Sequence, residues 1–92
     1  MIFDVEISAL AKKQLKKVPG HIVVKLMSWV DSVANEGLEE TRKIKGYHDE
    51  PLKGERKGQR SIRLSLAYRA IYEVRKSKVE FVQILEVSKH DY

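Results

Sequence analysis

The sequence predicts an α+β fold in which two helices cover one face of an antiparallel sheet. Three observations predict it: an alternating N-terminal segment, two segments with helical periodicity, and a last third that is extended and joined by short polar turns. The order of elements is therefore strand, helix, helix and three strands. We expect the 92 residues to form a single domain spanning 1–92, since two separate cores would be too small to be stable.

The N-terminal half supplies one strand and two helices. Residues 2–7 alternate apolar and acidic side chains, which is the two-residue period of a half-buried strand. Ser8 can cap a helix that begins at Ala9. A Pro-Gly pair at 19–20 separates it from a second helix over about 21–35. The apolar stripe of this second helix is formed by Ile22, Leu26, Trp29, Val30 and Val33.

The C-terminal half is predicted to form most of the sheet. One helical turn over 38–43 leads into a loop punctuated by glycine and proline. Strands are then predicted over 61–64, 68–74 and 79–87, with a polar turn over 75–78. Such short connections imply an antiparallel three-strand meander, with the first strand added at one side. The last strand is the most apolar, and we expect it to be buried on both faces.

The positive charge is concentrated in the second half of the chain. The net charge is +5, and residues 1–50 carry eight Lys/Arg and eight Asp/Glu, whereas residues 51–92 carry ten and five. A polyanion such as RNA, or an acidic protein segment, is therefore the expected partner. The alternative is a solvated basic face without a ligand. We expect the lysines between residues 12 and 17 to form a solvated outer face of the first helix, with RNA binding as the alternative.

Several classes of function and location are disfavoured by the composition. The chain has no cysteine, no histidine pair with metal-ligand spacing and no glycine-rich phosphate loop. We therefore expect no metal and no cofactor. The apolar runs are far shorter than a membrane span or the core of an export signal, so we expect no membrane association and a cytoplasmic location.

Two arginines on consecutive strands are the first candidates for chemistry. Alternation along the strand places Arg63 on the face opposite the helices. Arg69 begins the next strand, which returns antiparallel, so the two guanidinium groups are expected to lie side by side. Two such cations repel each other unless an anion lies between them, and a phosphodiester suits that place. The alternative is that each arginine pairs with a carboxylate such as Glu73 or Glu86.

The C-terminal residues supply a candidate proton donor. In RNA cleavage a 2′-hydroxyl attacks the adjacent phosphorus, and the 5′-oxygen that leaves must be protonated. An imidazole has an ordinary pKa of about 6.5, so His90 is a suitable donor near neutral pH. Tyr92 is a second donor or a stacking surface for a base. The alternative is a frayed tail without a role. His21 and His48 are expected on the surface, and we assign them no role.

Three motifs carry a resemblance to a known family. The block PLKG…RSIRL…YRAIY, the strand YRAIYEV and the ending SKHDY resemble the toxins of bacterial type II toxin–antitoxin modules, in the RelE/HigB branch of the RelE/ParE superfamily. The resemblance covers nearly the whole chain and implies a small RelE-like domain. It also implies an endoribonuclease that inhibits translation by cutting mRNA in the ribosomal A site, without a metal, and leaves a 2′,3′-cyclic phosphate. The implied partners are a cognate antitoxin and mRNA on the ribosome with its rRNA.

The resemblance also implies roles for particular residues. Arg69 corresponds to a phosphate-stabilising arginine, and Arg63 to a second basic residue on the preceding strand. His90 and Tyr92 correspond to a histidine or tyrosine near the end of the last strand. Contacts to the RNA are expected from Lys53, Arg56, Lys57 and Arg60.

The general base is the point at which the chain departs from the family pattern. Ser61 stands near a position where some relatives carry a lysine, and no carboxylate obviously takes the place of the base. Glu50 and Asp91 are possible substitutes. Stabilisation of the attacking 2′-oxygen by Arg63 is a third option.

Two other functions are compatible with the sequence. A ParE-like toxin shares this fold and inhibits DNA gyrase through protein–protein contact, for which no proton donor is needed. A non-catalytic RNA-binding domain needs only the basic surface, and it predicts salt-sensitive binding without cleavage. Substitution of Arg69 and His90 separates these alternatives, because only a ribonuclease loses mRNA cleavage.

Overall fold

The structure, a computed structural model, describes residues 1–89 and confirms the α+β class. Within these residues, three helices and five strands follow one another along the chain. In order they are β1 (Val5–Ile7), α1 (Ala9–Leu15), α2 (Gly20–Glu36), α3 (Leu38–Arg42), β2 (Glu50–Pro51), β3 (Gln59–Arg63), β4 (Tyr68–Lys76) and β5 (Glu80–Lys89). Short 3₁₀ turns at Lys45–Tyr47 and Gly54–Arg56 flank β2.

The strands form one sheet in the order β1-β5-β4-β3-β2. β3, β4 and β5 make the predicted antiparallel meander, and β1 adds to it parallel to β5, with Val5 opposite Val82. β2 was not predicted, because two residues that include a proline show no strand period. It joins the edge of the sheet through the pairing of Glu50 with Ser61.

The helices begin and end close to where the sequence predicts. The Ser8 hydroxyl accepts a hydrogen bond from the Ala11 amide at 3.0 Å and so caps α1. α2 ends before Gly37, whose φ of 89° lies in the region that favours glycine. A β-carbon at Gly37 would lie 3.4 Å from the ring of Phe3, which is close to van der Waals contact, so the positive φ is the main reason for a glycine here.

The core lies between α2 and the sheet. Fully buried residues of α2 include Leu26 and Trp29, and the Trp29 ring lies 5.0 Å from the ring of Tyr72 on β4. Apolar residues of α1, α3 and β5 complete the cluster. Because every buried residue of the helices faces the same side, the sheet has one covered face and one open face.

Two details of β4 and β5 differ from the prediction. Arg75 and Lys76 extend β4, so the turn is confined to residues 77–79. β5 is fully buried on the helix side only, and Phe81 and Leu85 are half-buried. The register shifts at Leu85, which has no partner on β4.

Candidate active site

A shallow cleft on the open face of the sheet is lined by five polar or charged residues. Its volume is about 50 Å³, and its lining residues are His48, Glu50, Ser61, Arg63 and Arg69. They come from β2, β3, β4 and the residue two positions before β2. A long polymer backbone needs an open groove rather than an enclosed cavity, so the small volume is compatible with a polyanionic ligand.

Larger cavities lie elsewhere on the described part of the chain. One of about 290 Å³ adjoins the start of α3 and is lined by several glutamates, together with the N-terminus and Arg42. Another, of about 450 Å³, lies beside β1 and the β4–β5 turn. Neither combines two arginines with a histidine. The chemistry of the lining residues, and not cavity size, therefore identifies the candidate site.

Arg63 and Arg69 are directly opposite each other in the β3–β4 ladder. The carboxylates considered as their alternative partners are engaged by other arginines. Glu73 accepts a hydrogen bond from Arg75, and both oxygens of Glu86 lie 3.1 Å from an Arg56 nitrogen. Within residues 1–89, Arg63 and Arg69 therefore form no ion pair. Two like charges placed opposite each other destabilise a sheet, so this arrangement is costly without an anion.

Arg69 has a second feature that suits the binding of an anion. The side chain is partly buried, and its Nε is fully buried without a hydrogen-bond partner in the part of the chain that the structure describes. A buried charged donor without an acceptor destabilises the folded state by about 1–3 kcal/mol or more. An oxyanion bound between the two arginines would supply the missing acceptor.

Glu50 faces this cleft because it pairs with Ser61 on the open side of β3. It is exposed, whereas Ser61 is buried. Of the two carboxylates considered as substitutes for the general base, Glu50 is the one whose position the structure describes, and it lies on the same cleft wall as the arginines.

His48 is the residue that sequence reasoning missed. It has a left-handed backbone, with φ of 45° and ψ of 50°, and follows the 3₁₀ turn before β2. Residues other than glycine rarely adopt this conformation, and asparagine, aspartate and histidine adopt it more often than the rest. The side chain is exposed and lines the cleft with Glu50. The available signal was the short spacing of His48, Asp49 and Glu50 before a proline, which is too weak to assign a site.

Asp49 lies between these two cleft residues but points to the covered face. Its side chain is 1% exposed and accepts two short hydrogen bonds, from Arg60 Nε at 2.6 Å and from the Tyr72 hydroxyl at 2.6 Å. Arg42 Nε donates to the same hydroxyl at 3.2 Å. Through Arg60, Tyr72 and Arg42, the residue before β2 is linked to β3, β4 and α3 in one polar network on the covered face.

The network shifts two pKa values. Burial and the hydrogen bond to Asp49 raise the pKa of Tyr72 to about 12, although Arg42 partly opposes this, so the phenol stays neutral at physiological pH. For Arg60, burial lowers the pKa, but the hydrogen bond and charge of Asp49 outweigh it, and the pKa is raised. Arg60 therefore carries its charge on the covered side of the sheet.

The basic residues proposed to bind RNA are divided between the two faces. Arg60 lies on the covered face, away from the cleft, because it alternates with Arg63 along β3. Arg56 reaches onto the open face, where it contacts Gln59 Oε1 at 3.0 Å as well as Glu86. Lys53 and Lys57 are exposed on the loop between β2 and β3. The structure thus brings Arg56 to the cleft side and does not bring Arg60 there.

The predictions for His90, Asp91 and Tyr92 lie outside the described residues. β5 is described as far as Lys89, and Ser88 is opposite Arg69 in the β4–β5 ladder. Within residues 1–89, no three His, Cys, Asp or Glu side chains form a group that could hold a metal ion. In the same range, no helix is long and apolar enough to cross a membrane.

Comparison with solved structures shows that the fold is shared with several toxins. The YoeB/ParE toxin from Agrobacterium tumefaciens has a TM-score of 0.73 and 18% identity, over 96% of this chain and 99% of that one. YafQ from E. coli strain BL21(DE3) has a TM-score of 0.73 and 20% identity, over 95% and 92%. RelE in the archaeal RelE–RelB complex from Pyrococcus horikoshii OT3 has a TM-score of 0.72 and 23% identity, over 97% and 96%.

Comparison of the sequence with family models gives the family directly. No match is found among curated proteins. The model described as the ParE toxin of type II toxin–antitoxin system, parDE, matches residues 5–91. The resemblance of the motifs to the RelE/ParE superfamily is thereby confirmed. The chain belongs to the ParE toxin family of type II toxin–antitoxin systems and has the fold of the RelE, YoeB and YafQ toxins.

Proposed function

We propose that this toxin is an endoribonuclease that cleaves mRNA on the ribosome without a metal ion, and that the scissile phosphate binds between Arg63 and Arg69. The observation that carries the proposal is a pair of arginines that lie opposite each other in the β3–β4 ladder, line one cleft and have no carboxylate partner among residues 1–89. Cations that stabilise the phosphoryl charge, together with a carboxylate base and an imidazole acid, suffice for phosphodiester cleavage without a metal ion.

The proposed reaction is an intramolecular transfer at phosphorus. Glu50 accepts the proton of the 2′-hydroxyl while O2′ forms a bond to phosphorus. The bond between phosphorus and O5′ breaks, and the leaving oxygen takes a proton from an imidazole. The products are a 2′,3′-cyclic phosphate on one fragment and a 5′-hydroxyl on the other. Arg63 and Arg69 stabilise the charge that develops on the phosphoryl oxygens.

Two histidines are candidates for the proton donor. His90 is favoured by the resemblance of the C-terminal motif, and His48 is favoured by its place on the cleft. Separate substitutions, His48→Gln and His90→Gln, distinguish them. The residue that protonates O5′ should cause the larger loss of cleavage, whereas the other should cause a small change in binding.

A cognate antitoxin is part of the proposal. Similar folds have been solved as the toxin–antitoxin complex RelBE2 from Mycobacterium tuberculosis and as the RelE–RelB complex from Pyrococcus horikoshii OT3. The net charge of +5 suits an antitoxin with an acidic segment. Exposed Lys53 and Lys57, with Arg56 on the open face, are proposed to bind mRNA or rRNA when no antitoxin is bound.

Inhibition of DNA gyrase is the second candidate function. The matching family model is that of the ParE toxins, and this match favours the alternative. Inhibition by protein contact does not require the polar groups of the cleft to act together. The two functions therefore differ in their sensitivity to conservative changes at Glu50, which remove a charge and leave the surface shape unchanged.

Induced expression in bacteria tests the proposal. Mapping of mRNA 5′ ends after induction should show new ends within coding regions for the wild type. These ends should disappear in Arg69→Ala and Glu50→Gln but persist in Lys43→Gln, a control for an exposed ion pair. Toxicity with a DNA damage response, no new mRNA ends and no sensitivity to Glu50→Gln would instead support gyrase inhibition.

A further inference from the structure

We propose that Asp49, Arg60 and Tyr72 form an anchor, centred on the buried Asp49 carboxylate, that positions His48 and Glu50 in the cleft. The inference assigns positioning roles to residues on the covered face of the sheet, and its kinetic consequence rests on the proposed ribonuclease function. It also gives a role to Arg60 that differs from RNA binding.

Asp49 and its two neighbours in the sequence point to opposite faces of the sheet. The Asp49 side chain is 1% exposed and points to the covered face. Its neighbours on either side, His48 and Glu50, both line the cleft on the open face. Because successive side chains in an extended segment point to opposite faces, fixing Asp49 inward directs Glu50 outward.

Both oxygens of Asp49 are held, which fixes the carboxylate plane. Arg60 Nε contacts Oδ1 at 2.6 Å, and the Tyr72 hydroxyl donates to Oδ2 at 2.6 Å. Arg60 is also opposite Tyr72 in the β3–β4 ladder, so the two donors are held by the strands themselves. The Tyr72 ring packs on Trp29, and both side chains are fully buried, which ties the position of Asp49 to the core.

The segment that carries the cleft residues has few other restraints. β2 has two residues and is paired only on its β3 side. His48 has a left-handed backbone, a conformation that persists only where the surrounding structure holds it. Buried Tyr47 holds the chain before His48, and Asp49 holds it after. Loss of the Asp49 contacts would leave Glu50 with only the two-residue pairing to β3 and would remove the restraint that follows His48.

If the anchor holds, its loss should change the rate of RNA cleavage and not the affinity for RNA. Arg63 and Arg69 are held by β3 and β4 and do not depend on Asp49. Weakening the anchor should therefore leave affinity for RNA unchanged and slow the proton transfers. A misplacement of about 1 Å in a catalytic group can reduce the rate by about 10²-fold.

The test uses the full chain and three variants with one control. Tyr72→Phe keeps the ring on Trp29 and removes one hydrogen bond to Asp49. Arg60→Gln removes the charged donor, and Arg60→Lys restores a cation. Lys43→Gln removes an exposed ion pair that adjoins the network at Arg42 and serves as the control. Thermal unfolding first establishes that each variant is folded.

Two readouts are compared. In a translation extract, Tyr72→Phe should lower kcat for mRNA cleavage about tenfold with KM within twofold of wild type, and Arg60→Lys should recover part of the loss in Arg60→Gln. In ¹⁵N NMR spectra without RNA, the amide resonances of His48 and Glu50 should move in Tyr72→Phe, while those of α1 stay in place. Lys43→Gln should change neither kcat nor these resonances.

Three outcomes of these experiments test the anchor. Unmoved His48 and Glu50 resonances in a folded Tyr72→Phe variant would overturn the anchor. A raised KM with unchanged kcat in both Arg60 variants would also overturn it, because that result assigns Arg60 to RNA binding. If the wild type cleaves no RNA, the proposed function fails, and the NMR comparison alone decides whether the anchor positions these residues.

Discussion

Arginines have different environments on the two faces of the sheet: one is paired with a buried carboxylate, and two are opposite each other. On the covered face, Arg60 lies against the buried carboxylate of Asp49 at 2.6 Å. On the open face, Arg63 and Arg69 are opposite each other without a carboxylate partner among residues 1–89. Arg60 and Arg63 are three positions apart on one strand, so alternation alone separates them. Charge density along the sequence therefore does not reveal which arginines are available to a ligand.

The largest expected difference between the faces is in stability. Arg60→Gln leaves the Asp49 carboxylate buried without its cation, and we expect the free energy of unfolding to fall by about 3 kcal/mol. Arg63→Gln relieves repulsion with Arg69, so stability should stay the same or rise by about 0.5 kcal/mol. Urea unfolding of both variants measures the contrast. Equal losses would contradict the division of roles.

For catalytic activity we expect the opposite order, with the larger loss from a substitution on the open face. Removal of one group that stabilises developing charge lowers a rate by about 10²–10³-fold, and we expect a loss of this size in Arg69→Ala. Arg75→Ala is the matched control on the same strand, because Arg75 pairs with Glu73. Initial rates of mRNA cleavage in a translation extract are the measurement. Comparable rates for Arg69→Ala and wild type would remove Arg69 from the mechanism.

High pH should weaken the covered face through Tyr72. Its pKa is raised to about 12 in the folded state, from about 10 in an unfolded chain, so the folded state holds the proton more tightly. This contribution to stability is complete below pH 10 and is lost as the pH rises from 10 through 12. Between pH 9 and pH 11, wild type should lose about 1 kcal/mol more than Tyr72→Phe in urea unfolding. Equal losses would show that the phenol titrates normally.

The smallest expected effect concerns the loop on the open side. Lys57 is exposed and makes no ion pair within residues 1–89, so Lys57→Ala should weaken RNA binding without changing kcat. The slope of log affinity against log salt should fall by about 1. Binding of a 2′-O-methyl RNA, which lacks the attacking hydroxyl, gives the slope without cleavage. An unchanged slope would exclude Lys57 from phosphate contact.

The sequence predicted the fold because its strands and helices have strong local periods. The stripe of α2 and the alternation of β1 needed no long-range information. β2 was missed because two residues, Glu50 and Pro51, have no period, and its pairing with β3 is a tertiary contact. β5 was expected to be buried on both faces because its residues are mostly apolar. The apolar content of a strand does not show whether other elements pack on both of its faces.

The candidate site was predicted only where it lies on regular strands. Alternation indicated that Arg63 faces away from the helices, and the antiparallel connection brought Arg69 beside it. Arg60 was assigned to RNA binding together with the basic residues of the preceding loop, whereas its place on β3, which begins at Gln59, directs its side chain to the covered face. The cleft position of His48 depends on Asp49, whose partners are 11 and 23 residues away in the sequence.

The most direct test of the central claim is the chemistry of the RNA ends produced by purified toxin in a translation extract. The account predicts a 2′,3′-cyclic phosphate on the upstream fragment and a 5′-hydroxyl on the downstream fragment, both absent with Arg63→Gln and Arg69→Gln combined. A 3′-hydroxyl on the upstream fragment, or undiminished cleavage by the double variant, would contradict the claim that these two arginines hold the scissile phosphate.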